Sequence, residues 1–194
     1  KQAELVELVS NLSKTSDVMI ISGSLPQGVE SDYYTKLFSV AAPQTLKIAD
    51  TEGAKLLAAL KTGLDLVKPN KDELQNTLQQ EFKTREDLLK GCYSLLDKGA
   101  KRVLLSLGKR GAIITDGTKN YYCKSINVAI NSTLGAGDGM VAAAAMRMEQ
   151  GAPLDEILRA GVAAGTATVT TFGQISFTKE KFDEIYANIK VEEF

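Results

Sequence analysis

Hydrophobic positions along the chain switch repeatedly between a helical period and short continuous runs. Leu5, Leu8, Val9 and Leu12 recur at helical spacing and predict an amphipathic first helix. The run Val18-Met19-Ile20-Ile21 reads as a strand, closed by the loop Ser24-Leu25-Pro26-Gln27-Gly28. The rhythm continues with a helix over 32–42, a strand over 46–49, a helix over 54–61 and a strand over 64–68. A helix beginning at Lys71, another over 87–98 and a strand over 103–106 follow. Segments 112–115 and 121–124 flank the turn Asp116-Gly117 and predict a β-hairpin. A small-residue helix starts near Gly135, and further helices cover 154–171 and 179–189. Helices alternating with short apolar strands predict an α/β fold, mostly parallel, arranged as a three-layer α/β/α sandwich in one unit over 1–194.

Composition narrows the chemistry. With 23 basic and 24 acidic residues the net charge is −1, and neither sign forms a long run, so neither nucleic acid nor an anionic membrane is expected as a partner. The most apolar stretch, 140–146, is far shorter than a bilayer span. Cys92 and Cys123 fit a reducing, cytoplasmic setting. The absence of histidine removes Ser-His and Cys-His catalysis and leaves acid–base work to carboxylates, Lys, Tyr or Cys.

Four segments carry candidate chemistry. Asn131-Ser132-Thr133-Leu134-Gly135-Ala136-Gly137-Asp138 places a Gly-Ala-Gly run at a helix start, where amides and helix dipole attract an anion, with a carboxylate beside it. Phosphoryl transfer needs that pairing, but a closely packed helix with an acidic first turn fits the octapeptide as well. Its Asn-Ser-Thr triplet matches a glycosylation sequon, read as accidental without a secretory signal. Lys68-Pro69-Asn70-Lys71-Asp72-Glu73 has the spacing of a capping box, and equally of a site that organises hydrated Mg²⁺. In Ser106-Leu107-Gly108-Lys109-Arg110-Gly111 the glycines permit close approach to a phosphate or flat ligand, or simply make a turn; the run is not a Walker loop. Ser22-Gly23-Ser24-Leu25-Pro26 is a hydroxyl-rich loop at a strand end, where ligands of α/β sheets gather.

Together these motifs resemble the ribokinase-like (PfkB) carbohydrate kinases, and within them the phosphofructokinase and tagatose-6-phosphate kinase branch; Val162-Ala163-Ala164-Gly165-Thr166 fits the late helix of that family. The resemblance implies ATP and Mg²⁺ as cofactors, a small sugar phosphate as substrate, and a homodimer of the complete enzyme. It implies Asp138 as catalytic base in contact with substrate, and Gly135, Ala136 and Gly137 as the anion hole. Lys68 and Asn70 would approach the ATP phosphates, Asn70 with Glu73 would organise Mg²⁺, and Ser106, Gly108, Gly111 and Thr166 would line the nucleotide. Ser24 would face the sugar phosphate, and Ser24, Asn70, Ser106 and Asp138 would converge on one edge of the sheet.

Two positions depart from the family pattern: Gly139 stands where a serine often follows the aspartate, and Ala143 where a glycine is common. Thr171 and Ile175 do not supply a clear monovalent-cation site. The strand, glycine-rich sugar-binding segment and lid that open the family's chains do not precede Lys1, so the expectation is a portion of a longer enzyme, incomplete at the N-terminus. The expected reaction is ATP-dependent phosphorylation of a ketohexose phosphate. Asn-Ser-Thr-Leu-Gly-Ala-Gly-Asp favours fructose 1-phosphate giving fructose 1,6-bisphosphate, ahead of tagatose-6-phosphate kinase or 6-phosphofructokinase activity. A non-catalytic nucleotide-binding module is the reading from a different class.

Overall fold

The computed structural model describes residues 1–172 and 177–194, so Ile175 lies outside the described residues. Backbone packing divides the chain into two compact units, Lys1–Val103 and Leu104–Phe194.

The first unit alternates helix and strand as the apolar periods require: α1 (Gln2–Ser13), β1 (Val18–Ser22), α2 (Tyr33–Ser39), β2 (Leu46–Asp50), α3 (Gly53–Leu60), β3 (Leu66–Val67), α4 (Lys71–Leu78) and α5 (Arg85–Asp97). Each strand is followed by a helical crossover, so neighbours run parallel: Val18 pairs with Leu46, Ile48 with Leu66, and Val67 with Val103. Ile48, Ala49, Leu66 and Val67 are completely buried, as strands covered on both faces should be. The apolar face of α1 forms as predicted but is open to solvent, with Leu5, Leu8 and Leu12 about half exposed.

Two local differences from the sequence reading have physical causes. β3 is shorter than 64–68 because the Lys47 N–H donates to the Asp65 carboxylate at 2.8 Å, and Leu64 makes only an isolated bridge to Ala100. α5 starts at Arg85, ahead of the expected 87, because Thr84 caps it reciprocally with Asp87.

The chain passes into the second unit within β4 (Val103–Ser106). There β5 (Ala112–Thr115) and β6 (Asn120–Cys123) form the predicted antiparallel hairpin, its turn held by Asp116 Oδ1, which accepts the N–H groups of Thr118 and Lys119. α6 (Ala136–Glu149), α7 (Leu154–Val169) and α8 (Lys179–Asn188) follow, and β7 (Val191–Glu193) pairs antiparallel with β6. The mostly parallel α/β fold is therefore the one expected, with β7 as an addition.

Small residues set the approach of α6 to α7. A Cβ at Gly139 would lie 2.7 Å from Thr168 Oγ1, and one at Gly165 would lie 3.1 Å from the Ala136 carbonyl. That packing explains why a serine cannot replace Gly139 here without displacement. α8 is held by Tyr186, whose hydroxyl donates to the Glu156 carboxylate and whose ring lies under the Arg147 and Arg159 guanidinium groups at 5.7 and 5.3 Å.

Candidate active site

In the second unit the start of α6 is organised before any ligand arrives. Asn131 donates through its side-chain amide to the Thr170 carbonyl at 2.7 Å, and its backbone N–H to the Val169 carbonyl at 2.8 Å. Asn131 therefore ties the loop to the end of α7. Ser132 Oγ accepts the Leu134 N–H at 3.2 Å, and the Thr133 carbonyl accepts the Ala136 N–H at 3.4 Å. Gly135 then takes φ 76° as N-cap, a left-handed conformation that glycine adopts without strain. No side-chain hydrogen bond caps α6, and the positive end of its dipole lies at this turn.

Ala136 and Gly137 line a cavity of about 260 Å³ together with Ser106, Gly108, Gly111 and Thr166. Six of the expected positions are thus brought to one hollow. Val162 and Gly165 of the late helix marked in the sequence line it too, whereas Ile126, Val128 and Ile130 from the loop before α6 and Val169 of α7 were not anticipated; together they make the slot mainly apolar. The alternating apolar positions 126, 128 and 130 were the sequence signal, although the segment is not a strand. Thr166 Oγ1 sits 3.5 Å from Ser125 Oγ inside this cavity.

The Ser106–Gly111 segment is locked by its own bonds. Leu107 N–H donates to the Gly111 carbonyl at 2.8 Å, Gly111 N–H to Gly108 at 2.9 Å, and the Tyr122 hydroxyl to Arg110 at 2.7 Å. Asp138, the third residue of α6, is exposed and lines a different hollow of about 800 Å³, with Gly139, Ala142, Ala143 and Met146 of the same helix. One helical turn therefore contributes residues to two hollows, Ala136 and Gly137 to one and Asp138 to the other.

In the first unit, Lys68 follows β3 and is buried, with Nζ 3.1 Å from Asp50 Oδ1 at the end of β2. The capping box at α4 is complete: Asn70 Oδ1 accepts the Glu73 N–H at 2.9 Å, and Glu73 Oε2 accepts the Asn70 N–H at 2.7 Å. Burial pushes the Glu73 carboxyl above its usual range, against the Asn70 N–H and the Lys68 charge; Asp50 and Glu52 add to the rise. Ser24 is exposed, on a loop whose Gly23 N–H donates to the Asp50 carbonyl at 2.9 Å and whose Gly23 carbonyl accepts the Thr51 hydroxyl at 2.8 Å.

Among the described residues no group of three or more His, Cys, Asp or Glu side chains is arranged to hold a metal ion. Glu73 keeps Oε1 outside the cap, with Asp50 and Glu52 near enough to act on it electrostatically. Such hard oxygens suit Mg²⁺ that retains waters and takes phosphate ligands. Cysteine chemistry is disfavoured, because burial raises the Cys92 and Cys123 thiols to about 12. No helix among the described residues is long and apolar enough to cross a membrane.

The sequence matches the family described as pfkB family carbohydrate kinase over residues 1–181. It is 38% identical over 173 residues to the ATP-dependent 6-phosphofructokinase isozyme 2 of Escherichia coli (strain K12), covering 88% of this chain and 56% of that protein. It is 31% identical over 187 residues to the 1-phosphofructokinase of Borreliella burgdorferi, covering 95% of this chain and 60% of that protein. The fold matches the crystal structure of phosphofructokinase-2 from Escherichia coli in complex with potassium, with a TM-score of 0.88 and 37% identity over 96% of this chain and 61% of that one. The chain thus spans less than two thirds of the length of these relatives.

Proposed function

The chain belongs to the pfkB family of carbohydrate kinases, and from that premise we propose that it carries the nucleotide-binding and catalytic part of an ATP-dependent ketohexose-phosphate kinase. The observation that supports this reading most is the first turn of α6, with Ala136 and Gly137 on one cavity and Asp138 on another. In-line phosphoryl transfer needs donors on the phosphate and a base on the acceptor hydroxyl.

In this reading Asp138 accepts the proton of the sugar hydroxyl as its oxygen bonds to the γ-phosphorus. The bond from that phosphorus to the bridging oxygen breaks, and ADP leaves. The amides at Gly135, Ala136 and Gly137 stabilise charge on the moving phosphoryl group. Ser106, Gly108, Gly111 and Thr166 hold the nucleotide, Lys68 and Asn70 approach its phosphates, and Ser24 faces the sugar phosphate. Mg²⁺, when bound, would neutralise phosphate charge, and Asn70 with Glu73 would orient its waters. A cytoplasmic homodimer belongs to the same proposal.

The substrate proposed first is fructose 1-phosphate, on the strength of Asn-Ser-Thr-Leu-Gly-Ala-Gly-Asp over 131–138. Fructose 6-phosphate is the second reading, favoured by the 38% identity to a 6-phosphofructokinase. Both acceptors lead to fructose 1,6-bisphosphate. An ADP-release assay of the full gene product with fructose 1-phosphate, fructose 6-phosphate and tagatose 6-phosphate separates them. The highest kcat/KM is expected with fructose 1-phosphate, and a preference for fructose 6-phosphate selects the second reading. Nucleotide binding without transfer to any of the three would leave a non-catalytic nucleotide-binding module.

Glu73→Gln tests the metal role against the cap. Gln serves at the third helical position as well as Glu, so the melting temperature should barely move. The Mg²⁺ concentration for half-maximal activity should rise roughly tenfold, as for groups that orient a metal's ligands. An unaltered Mg²⁺ requirement makes Glu73 a capping residue alone.

A further inference from the structure

Lys68 is the one lysine of the first unit whose side chain is almost wholly enclosed, at 5% exposure, and its partner Asp50 is 13% exposed. A second ion pair in the same unit, Lys101 with Asp65, sets the contrast: there the lysine is 66% exposed and water carries much of its charge. A buried ammonium without a carboxylate would be strongly disfavoured, so the Lys68 side chain stays where Asp50 puts it. Parallel pairing fixes both ends of the contact. Ala49 stands opposite Val67, so the next residues, Asp50 and Lys68, leave the sheet side by side, and the Lys68 N–H continues the ladder to the Ala49 carbonyl at 3.0 Å.

We propose that Asp50 is a positioning residue that holds the Lys68 ammonium in place for the nucleotide phosphates, an inference that rests on the kinase reading above. The same corner carries more than one task. The Asp50 carbonyl accepts the Gly23 N–H, and Thr51 Oγ1 donates to the Gly23 carbonyl, so the loop bearing Ser24 hangs from it. A lysine on a four-carbon stem is a mobile charge. Fixed by a carboxylate at its back, it meets a polyphosphate without first being ordered, and the gain appears as nucleotide affinity.

The test uses the full gene product with Asp50→Asn, Lys68→Met and the double variant, measuring KM for ATP, kcat at saturating ATP, and the melting temperature. Asp50→Asn should raise KM for ATP about tenfold, which is the loss of one oriented charged hydrogen bond, with kcat nearly unchanged. Once Lys68→Met is present, Asp50→Asn should add nothing further. An unchanged KM in a folded Asp50→Asn protein, or effects that multiply in the double variant, would overturn the proposal. Should Asp50→Asn fail to fold, Asp50→Glu keeps the charge and displaces the ammonium by a methylene; it should also raise KM for ATP, and an unmoved KM counts against the role. Calorimetry with Mg²⁺ and a non-hydrolysable ATP analogue distinguishes the two failures. A wild-type protein that binds the analogue but transfers no phosphate sinks the kinase reading, and the same variants then judge Asp50 by dissociation constant. A wild-type protein that binds no nucleotide sinks both.

Discussion

Asp138→Asn should lower kcat about 10²–10⁴-fold, the usual loss on removing a general base, while nucleotide affinity hardly changes. The asymmetry follows from which atoms each cavity uses. Asp138 lines the hollow of about 800 Å³, whereas the one of about 260 Å³ takes Ala136 and Gly137 from the same turn. The amides that would hold an anion are backbone atoms, and an isosteric amide at 138 leaves them in place. Removing a negative charge from the first turn of α6 weakens its interaction with the dipole by about 0.3–1 kcal/mol, too little to unfold the protein. Single-turnover kinetics beside calorimetric ADP titration gives both quantities. A variant with wild-type single-turnover rate would remove Asp138 from the chemistry.

Gly111→Ala should destabilise the protein by about 3–5 kcal/mol, combining backbone strain with overpacking, and should abolish nucleotide binding. Gly111 has φ 96° and ψ −139°, a region open essentially to glycine alone, and an added Cβ would sit 1.8 Å from the Cys123 carbonyl oxygen. That carbonyl has no room to retreat. Cys123 is completely buried and lies opposite Ala112 on one side and Val191 on the other. Gly108→Ala provides the contrast within the same loop. Gly108 has φ 58° and nothing within 4 Å of an added Cβ, so only the left-handed penalty of about 1–2 kcal/mol applies. Urea denaturation of both variants reads the difference, and equal losses would show that the contact with Cys123 does not constrain the loop.

The contrast between local and distant information explains what the residues disclosed. A periodic apolar face placed α1, and the alternation of helix-period and strand-like segments placed the helices after it, because helix formation depends on neighbours three or four positions away. Asn70 and Glu73 announced their cap for the same reason, and the structure contains it. β7 escaped notice because Val191-Glu192-Glu193 has no apolar run and becomes a strand only by pairing with 121–123. Asp50 escaped because its importance comes from the register between two parallel strands, which neither strand encodes alone. The apolar wall at 126, 128 and 130 carries strand-like alternation yet serves as cavity lining, a use that depends on where α7 lies. The glycine-rich start of α6 was visible as two alternatives, and the split of Gly137 from Asp138 between two cavities required coordinates.

Strand order in the first unit also sets a schedule for folding during synthesis. Leu46 pairs back to Val18, Leu66 to Ile48 and Val103 to Val67, so each strand leaving the ribosome meets the edge laid down just before it. Such sequential pairing keeps loop closure short and limits the time an unpaired edge is exposed to other chains. The second unit keeps a different timetable. Its hairpin closes early, Ala112 on Cys123, but the far edge of β6 waits for Val191–Glu193, which is made only after α6, α7 and α8. During that interval Tyr121 to Cys123 present an open edge, the point at which a stalled or crowded nascent chain is most prone to pair with the wrong neighbour.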